Sequence, residues 1–289
     1  MLKALKIEGA ILNEVLKVIA VTYLFVIEGC KNVLCYDFKV SNLGCPDISL
    51  NIPHHFFSVI KMANSFLVMK AAYEKAMRER TRLLKDGRGD AHWFAALEEQ
   101  MAEHGVAIAI ARRDAVTRLD GAMLEARGEF PAAHIAVEGP VERWLEDMPA
   151  ALDVEDRFIT ALSDGRRRDQ EAGRALLGPH LSDLTVVHLE KEMEAGQCST
   201  GEQKLLLLAL VIAQARLIQW ERGRAPILLL DEVAAHLDEE RRARLFGVLA
   251  ELGGQCFMTG TDGALFEALG SDADFYSVIA GRLARKDRS

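Results

Sequence analysis

Cys198-Ser199-Thr200-Gly201-Glu202-Gln203-Lys204 opens an apolar run that reaches about Trp220, and two short segments follow it: Pro226-Ile227-Leu228-Leu229-Leu230-Asp231-Glu232 and Ala235-His236-Leu237-Asp238. Ser199 with Glu202 three places later is a capping box, enough to start a helix whose body is Leu205 to Ile218. Ile227 to Leu230 is a run of large aliphatics entered through Gly223 and Pro226, which suits a strand buried on both faces of a parallel sheet. Asp231 and Glu232 then emerge at the carboxyl edge of that sheet, where open α/β folds place their ligands.

A serine-bearing turn with Gly201 at a helix start offers unpaired backbone N–H groups and the positive end of the helix dipole, which suits a phosphate. The carboxylates suit hydrated Mg²⁺, held through water by Asp231, and an attacking water that Glu232 orients or deprotonates. In order and spacing these segments resemble the ABC-type ATPase heads, and within them the RecF DNA-repair family. Ser199 to Gln203 is similar to the family's signature, Leu228 to Glu232 to its Walker B segment, and Ala235 to Asp238 to its D-loop.

The resemblance implies an α/β fold, an incomplete ABC-ATPase-like head with a mainly helical second lobe. In such heads two subunits sandwich ATP. Ser199 and Gly201 would then meet the γ-phosphate held by a partner, with Thr200, Glu202, Gln203 and Asp238 in the same cofactor-binding set. Asp231 (Mg²⁺, via water) and the catalytic Glu232 would serve the chain's own nucleotide. Thr259 lies just past an expected strand, Gln255 to Met258, where many ABC proteins keep a switch histidine; its hydroxyl suits a phosphate oxygen but not general-base work. The implied cofactors are ATP and Mg²⁺. The implied partners are DNA, a second copy in an ATP-dependent homodimer, and other recombination mediator proteins.

Half of the 289 residues are hydrophobic and 27% are charged, an ordinary globular composition with room for one large or two small cores. A net charge of -8 argues against broad adhesion to nucleic acid or anionic membrane, so DNA binding has to use local basic patches. Cys30, Cys35, Cys45, Cys198 and Cys256 form no CxxC and no zinc-type spacing with histidine. Free thiols in odd number fit a reducing compartment, so the expected localisation is cytoplasmic. The uncharged run Val18 to Ile27 is short of the about 20 residues that a bilayer demands, and no membrane association is expected.

Residues 1–70 hold seven Lys, no Arg and five Asn, whereas residues 71–289 hold five Lys, 23 Arg and no Asn. The shift marks 1–70 as an atypical leader outside the resemblance. Residues 71–180 are expected to form the helical lobe and 181–289 the C-terminal part of the nucleotide-binding lobe. A RecF-like head carries a Gly-x-x-x-x-Gly-Lys-Ser/Thr loop near its start. The chain contains no Gly-Lys dipeptide, and Gly29-Cys30-Lys31 is the nearest approach. Two expectations follow: an ATP-dependent DNA-binding protein of recombinational repair and replication, acting at single-strand/double-strand gaps, or a non-enzymatic remnant that binds DNA or a repair partner without ATP. An SMC-like chromosome protein would need a long heptad coiled coil, which the sequence lacks. Loss of the first lobe also predicts an exposed Ile227 to Leu230 strand and poor solubility unless residues 1–70 cover it.

Tyr73 to Leu84 reads as a helix with Arg78, Arg80 and Arg82 displayed around it. Asp90 is placed to cap a second helix through Trp93, Leu97 and Met101, with a kink at Gly105 and an end near Arg127. Tyr73…Arg80-Thr81-Arg82-Leu83-Leu84…Trp93 resembles the start of the family's helical lobe. With that resemblance Arg78, Arg80, Arg82, Arg112 and Arg113 become candidate DNA-phosphate contacts; without it they are a solvated face. Arg166, Arg167 and Arg168 are expected to fan out around a helix from Val154 to Arg174. Gly178 to Asp183 resembles a Gly-Pro-His-Arg-Asp-Asp box of the family, from which Leu181 and Ser182 depart. Strands are expected at His134 to Glu138, Leu184 to His188 and Phe275 to Ile279, the last finishing the sheet with a turn at Gly281.

Overall fold

The computed structural model describes residues 54–279 and 282–285 except 88, 126–127, 129 and 149, with side chains described from Phe66 onward. The expectations for Val18 to Ile27, Gly29 to Lys31 and the turn at Gly281 lie outside the described residues. The chain forms two units, Met1–Leu217 and Ile218–Ser289. The strand after residue 180 pairs with a strand before it, and the division falls inside the helix that the capping box starts.

In the first unit α1 (His54–Asp86) and α2 (Ala91–Glu125) fold back on each other, joined through Gly87, whose φ of 62° is the left-handed turn that ends α1. The Asp90 carboxylate accepts the Trp93 N–H at 2.8 Å and so caps α2 as its position suggests. α3 (Pro140–Asp147), with proline in its first turn, and α4 (Ala151–Ala172) complete the helical layer. Phe94, Leu97, Met101, Val106, Phe158 and Leu162 form the core with Tyr73, Leu83 and Leu84 of α1. α2 runs unbroken through Gly105, which corrects the expected kink. A Cβ there would stand 2.9 Å from the Phe158 ring, so the glycine serves close approach, not bending.

Arg80 points into this core. Its stripe on α1 is Tyr73, Ala76, Arg80, Leu83 and Leu84, the 3.6-residue spacing of an inward face. The guanidinium is fully buried, donating to Glu98 Oε1 at 2.9 Å, Asp169 Oδ2 at 2.6 Å and the Leu162 carbonyl at 2.7 Å. Arg166 adds a second cation on Glu98, with 2.9 Å from its Nε to Oε1, so two arginines face two carboxylates and the buried charge cancels. Arg166, Arg167 and Arg168 do fan out: Arg167 turns away to Glu171 at 3.0 Å.

β1 (Ala133–Glu138), β2 (Asp183–His188) and β3 (Met193–Glu194) make an antiparallel sheet in the order β1-β2-β3, with Ile135 opposite Val186. β1 alternates buried and exposed positions and lies on α2, where Asp120 accepts the Ile135 N–H at 2.7 Å. α5 (Thr200–Arg222) follows and carries the boundary between the units.

The second unit holds β4 (Leu228–Leu230) and β5 (Cys256–Met258), paired in parallel, with α6 (Glu239–Leu252) between them in sequence. β6 (Tyr276–Ile279) and β7 (Arg282–Arg285) form a separate antiparallel pair, so the last strands do not finish the β4-β5 sheet as expected. β4 is also not buried on both faces. Leu228 and Leu230 are inside, whereas Leu229 and its cross-strand partner Phe257 are 66% and 52% exposed, because no third strand or helix covers that face among the described residues.

Candidate nucleotide-binding site

The signature segment builds the start of α5. The Glu202 carboxylate accepts the Ser199 N–H and hydroxyl, each at 2.9 Å, and Ser199 Oγ lies 3.4 Å from the Glu202 N–H. This is the capping box read from the sequence. Lys191, on the turn before β3, adds an ion pair to Glu202. That ammonium, followed by the Ser199 hydrogen bonds, pulls the Glu202 pKa down to about 2. The Gln203 side chain donates to the Cys198 carbonyl at 3.1 Å, fastening the turn from its other side. Ser199, Thr200 and Gly201 are exposed, and a Cβ at Gly201 would meet nothing within 4 Å. Lys191 was not singled out by the sequence, because it lies eight positions before Ser199 and no motif spacing connects them.

The Walker B-like residues gather at the carboxyl end of β4. Thr259 N–H bonds the Leu230 carbonyl at 3.0 Å, extending the parallel ladder one step and placing the threonine beside Asp231. The Thr259 hydroxyl donates to Asp231 Oδ1 and accepts the Glu232 N–H at 3.2 Å. Glu232 has φ of 52°, a left-handed backbone that non-glycine residues seldom adopt. Thr259 therefore clamps both acidic residues at the strand end: one by its carboxylate, the other by its backbone. Asp238 caps α6, its Oδ1 accepting the Arg241 N–H at 2.8 Å. The side chain of His236 lies outside the described residues.

Two adjacent carboxylates, Asp231 exposed and Glu232 half-buried, fit Mg²⁺, which keeps most of its water and takes one or two protein carboxylates with substrate phosphates. Among the described residues no cluster of three or more His, Cys, Asp or Glu forms a protein-only cage. For ATP the fit is to the γ-phosphate end only: the exposed start of α5 suits it, while no Gly-Lys dipeptide is present to cradle the remaining phosphates.

Of the five candidate DNA-contact arginines, two are buried. Arg80 is spent in the core as described, and Arg112 is buried with Nη1 on the Pro179 carbonyl. Arg78 and Arg82 face outward on α1, paired with Glu74 at 3.6 Å and Glu79 at 2.7 Å, and Arg113 is half-buried on α2. The box at Gly178 to Asp183 serves the fold: Pro179 receives Arg112, His180 receives Tyr73, and Ser182 donates to the buried Glu142 at 2.7 Å.

Over 214 residues the chain is 58% identical to the DNA replication and repair protein RecF of Brucella abortus (strain 2308), a match that takes in 73% of this chain and 55% of that protein. The matched segment belongs to the RecF family. It corresponds to the C-terminal portion of RecF. RecF of Rhizobium rhizogenes (strain K84 / ATCC BAA-868) is 51% identical over 215 residues, 74% of this chain and 57% of that one. The chain thus spans about half the length of the curated relatives it matches. Solved structures of the recombination mediator protein RecF in the RecFOR pathway, with ATPrS and with ATP, share the fold at TM-scores of 0.65 and 0.63 and 20% identity. They cover 79% and 78% of this chain, and this chain covers 60% and 59% of theirs. No protein-family model matches the chain.

Proposed function

We propose that the chain is the signature- and Walker B-bearing part of a RecF-type, ATP-dependent DNA-binding protein of recombinational repair and replication, acting at single-strand/double-strand gaps. The observation that carries this reading is the convergence of Asp231, Glu232 and Thr259 at the carboxyl end of β4. Asp231 would hold hydrated Mg²⁺, which would supply charge neutralisation at the phosphates. Glu232 orients the attacking water and accepts its proton. Thr259 fixes both, in place of meeting a phosphate itself. Ser199 and Gly201, backed by Thr200 and Gln203, present hydrogen-bond donors to the γ-phosphate of ATP on a second RecF-type subunit, and Asp238 shapes the adjoining loop by capping α6. The outward Arg78 and Arg82, with Arg113, are the proposed DNA-phosphate contacts.

Equilibrium binding of Mg²⁺·ATP to the whole chain and to Asp231→Asn tests this. Saturable binding at micromolar nucleotide that weakens in the variant supports an ATP-dependent protein. The lack of a Gly-Lys dipeptide favours a second reading, a protein that binds DNA or a repair partner without ATP. No nucleotide binding up to millimolar concentration, with gapped DNA still bound, decides for that one.

A further inference from the structure

We propose that a groove on the first unit, between the C-terminal half of α1 and the segment after α4, docks an acidic peptide segment carrying one large apolar side chain. The groove is open and encloses about 400 Å³. Met77 and Leu181 supply an apolar floor, Leu181 being 44% exposed although it is a large aliphatic residue. Arg78, Arg82, Lys85 and Arg174 line the same groove, and no Asp or Glu does.

The cations are not equivalent. Arg78 and Arg82 are ion-paired to glutamates of their own helix. Lys85 and Arg174 are exposed and have no ion pair among the described residues. Lys85 reaches across to the end of α4, where a Cβ on Gly173 would stand 3.6 Å from its ammonium. On a chain of net charge -8, two unneutralised cations side by side in a concave surface are a local reversal of sign. The backbone beneath them is held firmly: Gln170 donates to the Leu84 carbonyl at 2.7 Å, and Asp169 accepts the Leu176 N–H at 2.9 Å. The groove is therefore preformed, so a ligand loses little to ordering it.

Charge complementarity with an apolar floor distinguishes the occupant. A nucleic-acid backbone would use the cations and gain nothing from Met77 and Leu181. A peptide with acidic residues flanking a leucine or phenylalanine uses both, with its apolar side chain seated between the floor residues and its carboxylates on Lys85 and Arg174. The proposal does not depend on nucleotide or on the site at β4.

The test is fluorescence anisotropy with labelled Glu-Asp-Glu-Leu-Asp-Glu, amidated at its C-terminus, against the whole chain, the double variant Lys85→Glu/Arg174→Glu, and Leu181→Ser. A duplex DNA of about 20 base pairs is measured in parallel. All three substituted side chains are exposed, so circular dichroism is expected to match the parent. The expected result is saturable peptide binding that weakens about tenfold in the double variant and about fivefold in Leu181→Ser or with serine for the peptide leucine. Leu181→Ser should leave DNA binding within about twofold of the parent, whereas the double variant, which reverses two charges beside Arg78 and Arg82, weakens DNA binding as well as peptide binding. No peptide binding at millimolar concentration overturns the proposal. So does binding indifferent to both apolar changes, which would be unspecific charge attraction, and so does loss of DNA affinity with peptide binding unaltered, which would make the groove a nucleic-acid surface.

Discussion

Tyr73 and His180, 107 positions apart, meet through a 2.7 Å hydrogen bond that orders the histidine ring. The Nε2–H of His180 donates to the Ala175 carbonyl at 3.1 Å, so Nδ1 carries the lone pair that accepts the tyrosine hydroxyl. Burial of the ring nitrogens holds the His180 pKa below the ordinary histidine value, with Arg112 and Arg174 pushing in the same direction. A base with a lowered folded pKa stabilises the fold above its unfolded pKa of about 6.5, and that contribution is lost as pH falls through the folded value. The urea midpoint of the chain should accordingly drop between about pH 7 and pH 5, and drop less in His180→Gln. Tyr73→Phe should cost about 1 kcal/mol at neutral pH.

Arg80 and Arg113 were equal in sequence and are opposite in the fold. Arg80→Ala leaves Glu98 and Asp169 without their shared cation and should destabilise by about 3–5 kcal/mol. Arg113→Ala should change stability by no more than about 0.5 kcal/mol. Thermal unfolding of the two variants, read beside their DNA affinities, separates a folding role from a binding role. Lost DNA affinity in a stably folded Arg80→Ala protein would contradict the buried cluster.

Glu202 provides a spectroscopic marker for the signature turn. Its carboxyl resonance should titrate with a midpoint of about 2, and in Lys191→Ala the midpoint should move up towards the usual glutamate value. Because the folded pKa is lowered, the cap persists throughout the neutral and mildly acidic range and is lost only as pH falls through about 2. A midpoint unchanged by Lys191→Ala would show that the ion pair does not form in solution.

At the end of β4, Thr259→Val removes the hydroxyl that both donates to Asp231 and accepts from Glu232. The expected cost is about 1 kcal/mol in stability, together with weaker Mg²⁺·ATP binding if the proposed site is occupied. Glu232→Gly should go the other way in stability, gaining about 1 kcal/mol from relief of the left-handed backbone, while abolishing any hydrolysis. Calorimetry of the two variants gives the signs directly.

The elements around the site were legible because their signals are local. The capping box and the aliphatic run before Asp231 formed where their residues indicated, and the resemblance pointed to the right family. The burial of Arg80 is also encoded locally, in the helical stripe it shares with Tyr73, Ala76, Leu83 and Leu84. Its partners are not, because Glu98 and Asp169 lie on other helices and only packing brings them together. The position of Thr259 just past the strand Cys256–Met258 is local and readable, whereas the hydrogen bond of its hydroxyl to Asp231 depends on the parallel pairing with β4 and is not. The open face of Leu229 and Phe257 departs from the burial on both sides that four aliphatics in a row suggest, and agrees with the exposed Ile227 to Leu230 strand expected where a first lobe is missing.

Glu232 is where main chain and side chain want different residues. Glycine would relax the backbone at φ 52° without strain, and asparagine would sit there more easily than glutamate. A glutamate standing in a glycine's conformation is a misfit that the fold tolerates, and tolerance of that kind gathers at working sites. Substitution series at this position therefore offer a readout in which stability and chemistry are expected to move in opposite directions.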